Sequence, residues 1–317
     1  MSSTGTFSGL TRWLDATPHP AMACEIAAEH VAVAAWTGGR LGLEGFAHEP
    51  VSAGSIVVSP VEPNIVDTSA VHAALERALA KVQSRGRDVA LLLPDQVVRV
   101  FILHFDTFPK RADEAEPLLR WRLKKSVPFD VEEAVVSFMA QESREEGVDI
   151  VAGIARRKIV RQYEEIVDAV GLAPGVVLGS TLATLPLLDS ERPTLLARIT
   201  GRTLTNVITR GDVLCVYRCT ELPVDVSGLD PAMLLEEIYP GMAFYQDNWR
   251  ESVQQVRLAG FAGRTEEFRR ALETELNCSV AALVASSALE NRLSGDAKTL
   301  VDRELDALVG WMMNRGA

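Results

Sequence analysis

A chain of 317 residues with 47% hydrophobic and 24% charged residues has the composition of a globular protein, and its length favours two lobes with an ample core. With a net charge of −11 the chain as a whole lacks the basic character typical of nucleic-acid binding, so no nucleic-acid partner is expected. The four cysteines and five histidines show no metal-ligand spacing, so no metal site is expected. No apolar run approaches the ~18 to 20 residues that span a bilayer.

Residues 1–20 are predicted to form a flexible tail, since they are rich in Ser, Thr and Pro and lack the hydrophobic core of a signal peptide. The tail contains four apolar residues with the spacing of one helical face, namely Phe7, Leu10, Trp13 and Leu14. Two roles remain open for them: a strap that packs on its own domain, or a weak anchor to a membrane or a partner.

Residues 21–106 predict the first part of a mixed α/β domain. Strand-like runs, one capped amphipathic helix and two further strand-like runs follow one another, which differs from a regular βαβ series. The predicted elements are strands in "ACEIAA", "HVAVAAW" and "LGLEGFAHEPV", a helix in "DTSAVHAALERALAKVQSRG", and strands in "DVALLLPD" and "VVRVFILHFDTF".

Residues 107–170 predict a small inserted α/β unit in which a helix, two paired strands and a second helix follow one another. The first helix ends in a basic cluster, "RWRLKKS", with Arg120, Arg122, Lys124 and Lys125. Two explanations remain open: a solvated helix end that suits the helix dipole, or a basic face towards anionic lipid or an acidic partner.

The remaining chain predicts a return to the first domain and then a second domain. Residues 171–194 are predicted as the return helix, and residues 195–317 as the second domain. The second domain is predicted to contain a three-strand meander, a helix that includes Pro240, a strand, a helix, a short strand and a final helix.

Two stretches that each open one half of the chain share a pattern. "CEIAAEHVAVAAWTGGRL" and "ARITGRTLTNVITRGDVL" both consist of a strand, a corner of small residues, a strand, a turn and a strand. Such an internal duplication resembles the actin-like ATPase fold, in which the two corners grip nucleotide phosphates from opposite sides of a cleft. The resemblance implies an α/β, actin-like (RNase H-like), two-lobed fold with a small inserted subdomain and a shortened second lobe.

The inserted unit makes the resemblance more specific. "LLRWRLKKSVPFDVEEAVVSF", the strand pair after it and "KIVRQYEEIVDAVGLAP" resemble the type IV pilus assembly protein PilM family. This family is related to the cell-division protein FtsA and to the cytoplasmic domain of the type II secretion protein GspL, which is normally fused to a membrane helix. The resemblance extends over most of the chain after the tail.

The resemblance implies two phosphate loops, and both depart from the family pattern. In the first loop Glu25 lies where the family has Asp, Ala27 where it has Gly, and Ala32 where it has Lys. In the second loop Arg198 replaces Asp and Thr200 replaces Gly. An alanine brings a Cβ to a place where phosphate oxygens need bare N–H groups, and an arginine reverses the sign of a metal-facing carboxylate.

These departures predict vestigial nucleotide loops, no bound cofactor and no ATP hydrolysis, with Arg198 as the ion-pair partner of Glu25 across the cleft. Gly260 and Gly263 persist at the place of the adenosine loop, although such a pair also marks an ordinary turn. The alternative is an active ATPase, in which Glu25 holds Mg²⁺ and Arg198 clamps phosphate. Mg-ATP would then bind in the interlobe cleft and drive polymerisation or switching.

The resemblance also implies a function and a partner. A PilM-like protein would be a cytoplasmic scaffold of a type IV pilus or related secretion machine, peripheral to the inner membrane, and it would bind the N-terminal cytoplasmic tail of a PilN-like membrane protein. The dispersed cysteines fit a reducing cytoplasm, and self-association stays open. The predicted partner groove comprises Val98, Val100, Ile102, Leu123, Val127, Pro128 and Phe129.

Overall fold

The computed structural model describes residues 19–37, 42–82, 86–143, 145–188, 192–284, 300 and 305–314. Most of the predicted tail, with its four spaced apolar residues, lies outside the described residues. No helix within these ranges is both long and apolar enough to cross a membrane.

The first half of the chain begins with three strands, a helix and a fourth strand, as predicted. Asp67 caps the helix by accepting a hydrogen bond from the Ala70 N–H, and its apolar face is buried. The elements are β1 (Met22–Ile26), β2 (His30–Thr37), β3 (Gly42–Pro50), α1 (Thr68–Lys81) and β4 (Asp88–Leu93).

The inserted unit is built on a separate three-stranded sheet. Its elements are β5 (Arg99–Phe105), α2 (Ala112–Leu123), β6 (Ala134–Gln141), β7 (Val148–Arg156) and α3 (Arg157–Ala169). The sheet order is β5-β7-β6, and α2 packs on one face through Leu119 and Leu123. The predicted boundaries, 21–106 and 107–170, differ from this arrangement at both ends. All seven residues of β5 pair with β7, and α3 packs on α1 of the first domain.

The segment 171–194 was predicted as a helix, but it begins with a strand. It contains β8 (Ala173–Gly179) followed by the short helix α4 (Ser180–Thr184). The strand forms because its residues pair in parallel with the buried strand β4. The first sheet therefore has five strands in the order β3-β2-β1-β4-β8, with β1, β4 and β8 parallel.

The second half repeats this plan. Its elements are β9 (Thr194–Thr200), β10 (Thr203–Arg210), β11 (Val213–Glu221), α5 (Pro231–Trp249), β12 (Gln255–Ala259), α6 (Thr265–Leu276) and β13 (Ser279–Ala282). The sheet order is β11-β10-β9-β12-β13, with an antiparallel meander followed by parallel strands. The two five-stranded sheets thus have the same topology, and the repeated pattern in the sequence predicted the three strands that open each of them.

The final described helix, α7 (Asp306–Met313), packs on α4, β1 and β2 of the first lobe, although the predicted second domain includes it. Every side chain of α7 is buried. Gly310 permits the close crossing with α4, because a Cβ there would lie 2.1 Å from the Ala183 carbonyl oxygen. Trp311 donates from Nε1 to the Pro20 carbonyl oxygen at 3.4 Å.

Candidate functional site

The two repeated corners face each other across a cleft between the lobes. The corner between β1 and β2 supplies Glu25, Ala27 and His30, and the corner between β9 and β10 supplies Arg198 and Thr200. Together they line a cavity of about 300 Å³, near the lower limit of ordinary small-molecule sites. The fold therefore places the predicted loops where the resemblance implies a nucleotide site.

Glu25 and Arg198 meet across this cleft, which confirms the predicted ion pair. The Arg198 Nη2 atom donates to Glu25 Oε1 at 3.3 Å. Both residues lie near the carboxyl ends of buried strands, and no more than 3% of the surface of either is exposed. A pair this well shielded from water interacts more strongly than an exposed surface pair.

Arg198 also contacts elements that the sequence did not link to it. Its Nε donates to Asp306 Oδ2 on α7 at 2.8 Å, and its Nη1 donates to Ser180 Oγ at the start of α4 at 2.8 Å. The Nη1 atom further lies 3.8 Å from Asp95 Oδ2. One guanidinium from the second lobe therefore faces three carboxylates, those of Glu25, Asp95 and Asp306.

Asp95, directly after β4, is a second convergence point between the lobes. Its Oδ1 accepts from the Thr181 N–H at 2.9 Å and from the Tyr217 hydroxyl at 3.2 Å. Its Oδ2 accepts from the hydroxyls of Thr205, at 2.9 Å, and of Thr181. Because Thr205 and Tyr217 lie on β10 and β11, this carboxylate binds the second sheet to the first.

The electrostatics of the cluster follow from burial and from the shared cation. Burial alone would lower the pKa of Arg198, but the charges of Asp306, Glu25 and Asp95 raise it above its ordinary value. Burial favours a raised pKa for Glu25, but its contacts with His30 and Arg198 lower it. Burial, together with the charge of Glu25, raises the pKa of Asp306 despite Arg198. Arg198 is therefore a permanent cation held by its neighbours.

The remaining predicted loop residues have structural surroundings. Ala32 lies opposite Glu25 in the β1–β2 register and is fully buried, and Thr200 ends β9 opposite Thr203. Gly260 has a φ of +78°, and a Cβ there would lie 1.8 Å from the Ile199 carbonyl oxygen. This close approach explains Gly260 without a ligand. Gly263 has a φ of +82° and open space around it, as expected of a turn.

The cleft does not fit a metal-bound nucleotide on these side chains. Glu25 Oε1, which would face the metal, is engaged by Arg198, and Ala27 carries a Cβ at the corner. The Arg198 guanidinium, which could clamp phosphate, is already bound by Asp306 and Ser180. The buried carboxylates of Glu25 and Asp95 line the cavity and would oppose a triphosphate. The described residues contain no cluster of metal-ligating side chains.

The sequence analysis missed the two aspartates. Asp95 had a recognisable signal, because an acidic residue directly after the buried run "ALLLP" lies at the carboxyl end of a parallel strand. Asp306 had no such signal. It is 108 residues from Arg198 in the chain, on a helix whose docking site only the tertiary structure reveals.

A second cavity separates the insert sheet from the first lobe. Its volume is about 50 Å³, and its walls combine the inner face of the insert sheet with β8 and α4. Ser137, Gly153 and Gly179 are small residues along it. The apolar lining comprises Val98, Val100, Phe138, Met139, Val151, Val177, Leu178 and Leu182. We call this feature the apolar groove.

The seven predicted groove residues do not form one surface. Val98 and Val100 line the apolar groove, and Ile102 lines a wider cavity of about 400 Å³ between β5 and the second lobe. Leu123, Val127 and Phe129 pack into the core on the opposite face of the insert sheet, and Pro128 is exposed beside them. The sheet separates the two sets, because side chains alternate between its faces.

Ser143, His104 and Asp149 form a polar cluster at the edge of the insert sheet. Ser143 Oγ lies 3.0 Å and Asp149 Oδ1 2.8 Å from the same ring atom, His104 Nδ1. A catalytic triad would place the hydroxyl and the carboxylate on opposite ring nitrogens. This cluster therefore lacks the geometry of a nucleophile relay. The hydrogen bond with Asp149 raises the pKa of His104.

Comparison with known proteins identifies the family. The sequence model of the type IV pilus assembly protein PilM family matches residues 24–182, half of the chain. The chain is similar in structure to a "PilM-PilN type IV pilus biogenesis complex", with a TM-score of 0.74, 18% identity, and coverage of 94% of this chain and 98% of the other. This similarity and the duplicated sheets confirm the predicted actin-like, two-lobed fold.

Two further solved structures align with lower TM-scores. The cytoplasmic domain of EpsL, an inner-membrane component of the type II secretion system of Vibrio cholerae, aligns with a TM-score of 0.48 and 15% identity, covering 84% of this chain and 98% of that domain. A Bacteroides thetaiotaomicron protein with an actin-like ATPase fold aligns with a TM-score of 0.47 and 10% identity, covering 86% of this chain and 93% of its own. The curated proteins contain no match.

Proposed function

Because this chain belongs to the PilM family of type IV pilus assembly proteins, we propose that it is a cytoplasmic scaffold of a pilus assembly complex at the inner membrane. In this role it binds the N-terminal cytoplasmic tail of a PilN-like membrane protein and does not hydrolyse ATP. The similar PilM-PilN complex supports the choice of partner.

The apolar groove is the observation that carries the proposal. It lies between two units of the fold, and its walls are apolar side chains interrupted by small residues. A short extended segment can bind such a groove by burying a few apolar side chains and by hydrogen bonding through its backbone. The groove of about 50 Å³ must widen to admit a chain, which a shift of the insert relative to β8 would accomplish.

The interlobe cluster supports the absence of hydrolysis. A hydrolytic site needs a free metal-facing carboxylate and space for phosphates, whereas here the Glu25 carboxylate is paired with Arg198. The cluster also supplies a reason for the two lobes to stay together without a ligand, since Asp95 and Arg198 each bind both lobes. A scaffold needs only this fixed arrangement.

A peptide-binding titration tests the proposal. The probe is a fluorescent peptide with the cytoplasmic N-terminal sequence of a PilN-like protein from the same organism, and the readout is its anisotropy. Ser137→Glu, which places a carboxylate at an exposed position of the groove, should abolish binding because peptide burial would desolvate the charge. Ser137→Ala is the matched control and should bind normally. Equal binding by both variants would exclude the groove.

The active ATPase remains the second candidate, because the cleft retains a cavity of about 300 Å³ beside Thr200 and Gly201. A thermal-shift titration with Mg-ATP separates the two. A ligand present at 100 times its Kd stabilises a protein by about 2.7 kcal/mol. We expect no saturable shift, and a clear one would contradict the nucleotide-free proposal.

A further inference from the structure

We propose that the exposed face of α2 binds anionic lipid headgroups directly, without a protein partner. The face consists of Trp121, Arg122, Lys124 and Lys125, which we call the basic Trp face. This inference is independent of the apolar groove, which lies on the opposite side of the insert sheet.

Trp121 is the first reason for the proposal. It exposes 73% of its surface, more than the other exposed large hydrophobic side chains of the described residues. Lys124 and Lys125 follow it by three and four positions and therefore lie beside it at the end of the helix. A tryptophan next to lysines is the combination found where proteins meet the bilayer interface, because the ring enters the headgroup layer while the ammonium groups bind phosphates.

The second reason is that the cations of this face are unpaired. Among the described residues, no carboxylate oxygen lies within 4.0 Å of a side-chain nitrogen of Arg122, Lys124 or Lys125. This contrasts with the neighbouring arginines of α2, since Arg111 pairs with Asp113 and Arg120 pairs with Glu116. In a chain of net charge −11, a cluster of three free cations is a local exception.

The folding of the insert does not require the basic Trp face. Leu119 and Leu123, on the other side of α2, are fully buried and anchor the helix to the insert sheet. Arg120 completes the attachment by donating to the carbonyl oxygens of Val131 and Ala134. The face is therefore available for an external contact.

Charge complementarity favours lipid over an acidic protein. Anionic lipids offer many mobile phosphates, and each nearby Lys or Arg adds about 1 kcal/mol to the attraction, or about fivefold in affinity. A protein partner would need a pocket for Trp121, whereas a bilayer accepts the ring anywhere. Three carboxylates line a cavity with Trp121 and Lys124, namely those of Asp113, Glu116 and Glu132. Asp113 and Glu116 are paired with Arg111 and Arg120, whereas Glu132 opposes the attraction to lipid and keeps it weak.

Vesicle binding by the full chain tests the inference without any peptide. Vesicles of phosphatidylcholine with a third phosphatidylglycerol should sediment the wild-type protein at low salt, and pure phosphatidylcholine should not. Lys124→Gln/Lys125→Gln should lower the partition coefficient by about 25-fold. The matched control is Lys158→Gln/Arg161→Gln, which removes the same charge from the exposed surface of α3 and should leave binding nearly unchanged.

A second measurement locates the tryptophan. In a Trp13→Phe background, brominated lipids should quench tryptophan fluorescence on binding, and adding Trp121→Phe should remove most of this quenching because the other described tryptophans are not on this face. Failure of the wild type to bind anionic vesicles, or equal loss in the two double variants, would overturn the inference. The inference would also be overturned if the basic Trp face bound an acidic protein and no lipid. Peptide anisotropy with the same variants should stay normal, so failure here is distinguishable from failure of the groove.

Discussion

Arg198 and Asp306 share a 2.8 Å hydrogen bond between Nε and Oδ2, although 108 residues separate them in the chain. The contact joins a strand of the second sheet to a helix that packs on the first. Glu25 and Asp95 face the same buried guanidinium. Residues of β1, β9, α4 and α7 therefore meet at Arg198.

Replacing Arg198 by Met should destabilise the protein by about 3–5 kcal/mol, because three buried carboxylates would lose their cation. Without Arg198, burial would raise the carboxylate pKa values, so the loss should be greater at about pH 8 than at about pH 5. Urea denaturation of the wild type and the variant at both pH values measures this loss of unfolding free energy. Arg210→Met, at the exposed end of β10, removes a surface ion pair with Glu251 and should cost less than about 1 kcal/mol. Equal effects would refute a special role for Arg198.

Gly260→Ala and Gly263→Ala separate steric conflict from backbone strain. Both residues have positive φ, which costs an alanine about 1–2 kcal/mol. Only at Gly260 would the new Cβ meet the Ile199 carbonyl oxygen, so Gly260→Ala should be clearly the more destabilising. Chemical denaturation gives the comparison. A similar cost at both positions would mean that the Gly260 approach is not required for folding.

Gly310→Ala and Gly241→Ala compare two glycines within helices. A Cβ at Gly310 would collide with α4, so the substitution should cost about 3 kcal/mol or more by displacing α7. At Gly241 in α5 the nearest atom is a Val216 methyl at 3.6 Å, and the better helix propensity of alanine should stabilise by about 0.5–1 kcal/mol. Opposite changes in Tm are expected. A harmless Gly310→Ala would contradict the described docking of α7.

His104 should titrate above its ordinary pKa of about 6.5, because it hydrogen-bonds Asp149. A raised folded-state pKa stabilises the protein fully below pH ~6.5, and the contribution is lost as pH rises through the folded value. Histidine NMR signals followed against pH measure the shift. Asp149→Asn should move the pKa of His104 down towards 6.5, and an unchanged pKa would show that Asp149 is not its cause.

Gln141 tests the attachment of the insert to the second lobe. Its side-chain amide donates to the Leu214 carbonyl oxygen at 2.8 Å and accepts from the Leu214 N–H at 3.1 Å, in the manner of a neighbouring strand. Gln141→Ala should cost about 2–4 kcal/mol, because both backbone groups would lose their partner. Amide exchange at Leu214 should accelerate, while the β4 amides stay protected. Gln141→Glu keeps the acceptor and should slow this exchange relative to Gln141→Ala.

Much of the fold could be predicted because its determinants are local or repeated. Alternating apolar residues predicted most strands, and the repeated corner predicted both the matching sheets and the meeting of Glu25 with Arg198. The role of Asp306 could not be predicted, since it depends on where α7 docks. The β8 strand was missed because its sequence, with Pro174 and Gly175, has a weak strand pattern and is stabilised by pairing with β4.

The groove residues could be predicted only in part, for a different reason. The period-two pattern of β5 correctly groups Val98 and Val100, but it does not reveal which face of the sheet α2 covers. The family resemblance implies Leu123 and Phe129 as groove residues, but they belong to the core on the other side of the sheet. Substitution of Phe129 by Asp would disturb the insert itself, so it does not test partner binding.

The position of Arg198 gives the cluster a property that a bound ion could not. A metal or nucleotide joins two lobes only while its concentration exceeds its Kd, and chelation or dilution removes it. A guanidinium carried by the chain is a counterion with no dissociation step. The contact between the lobes is therefore built from the chain's own side chains and needs no ion or nucleotide to form.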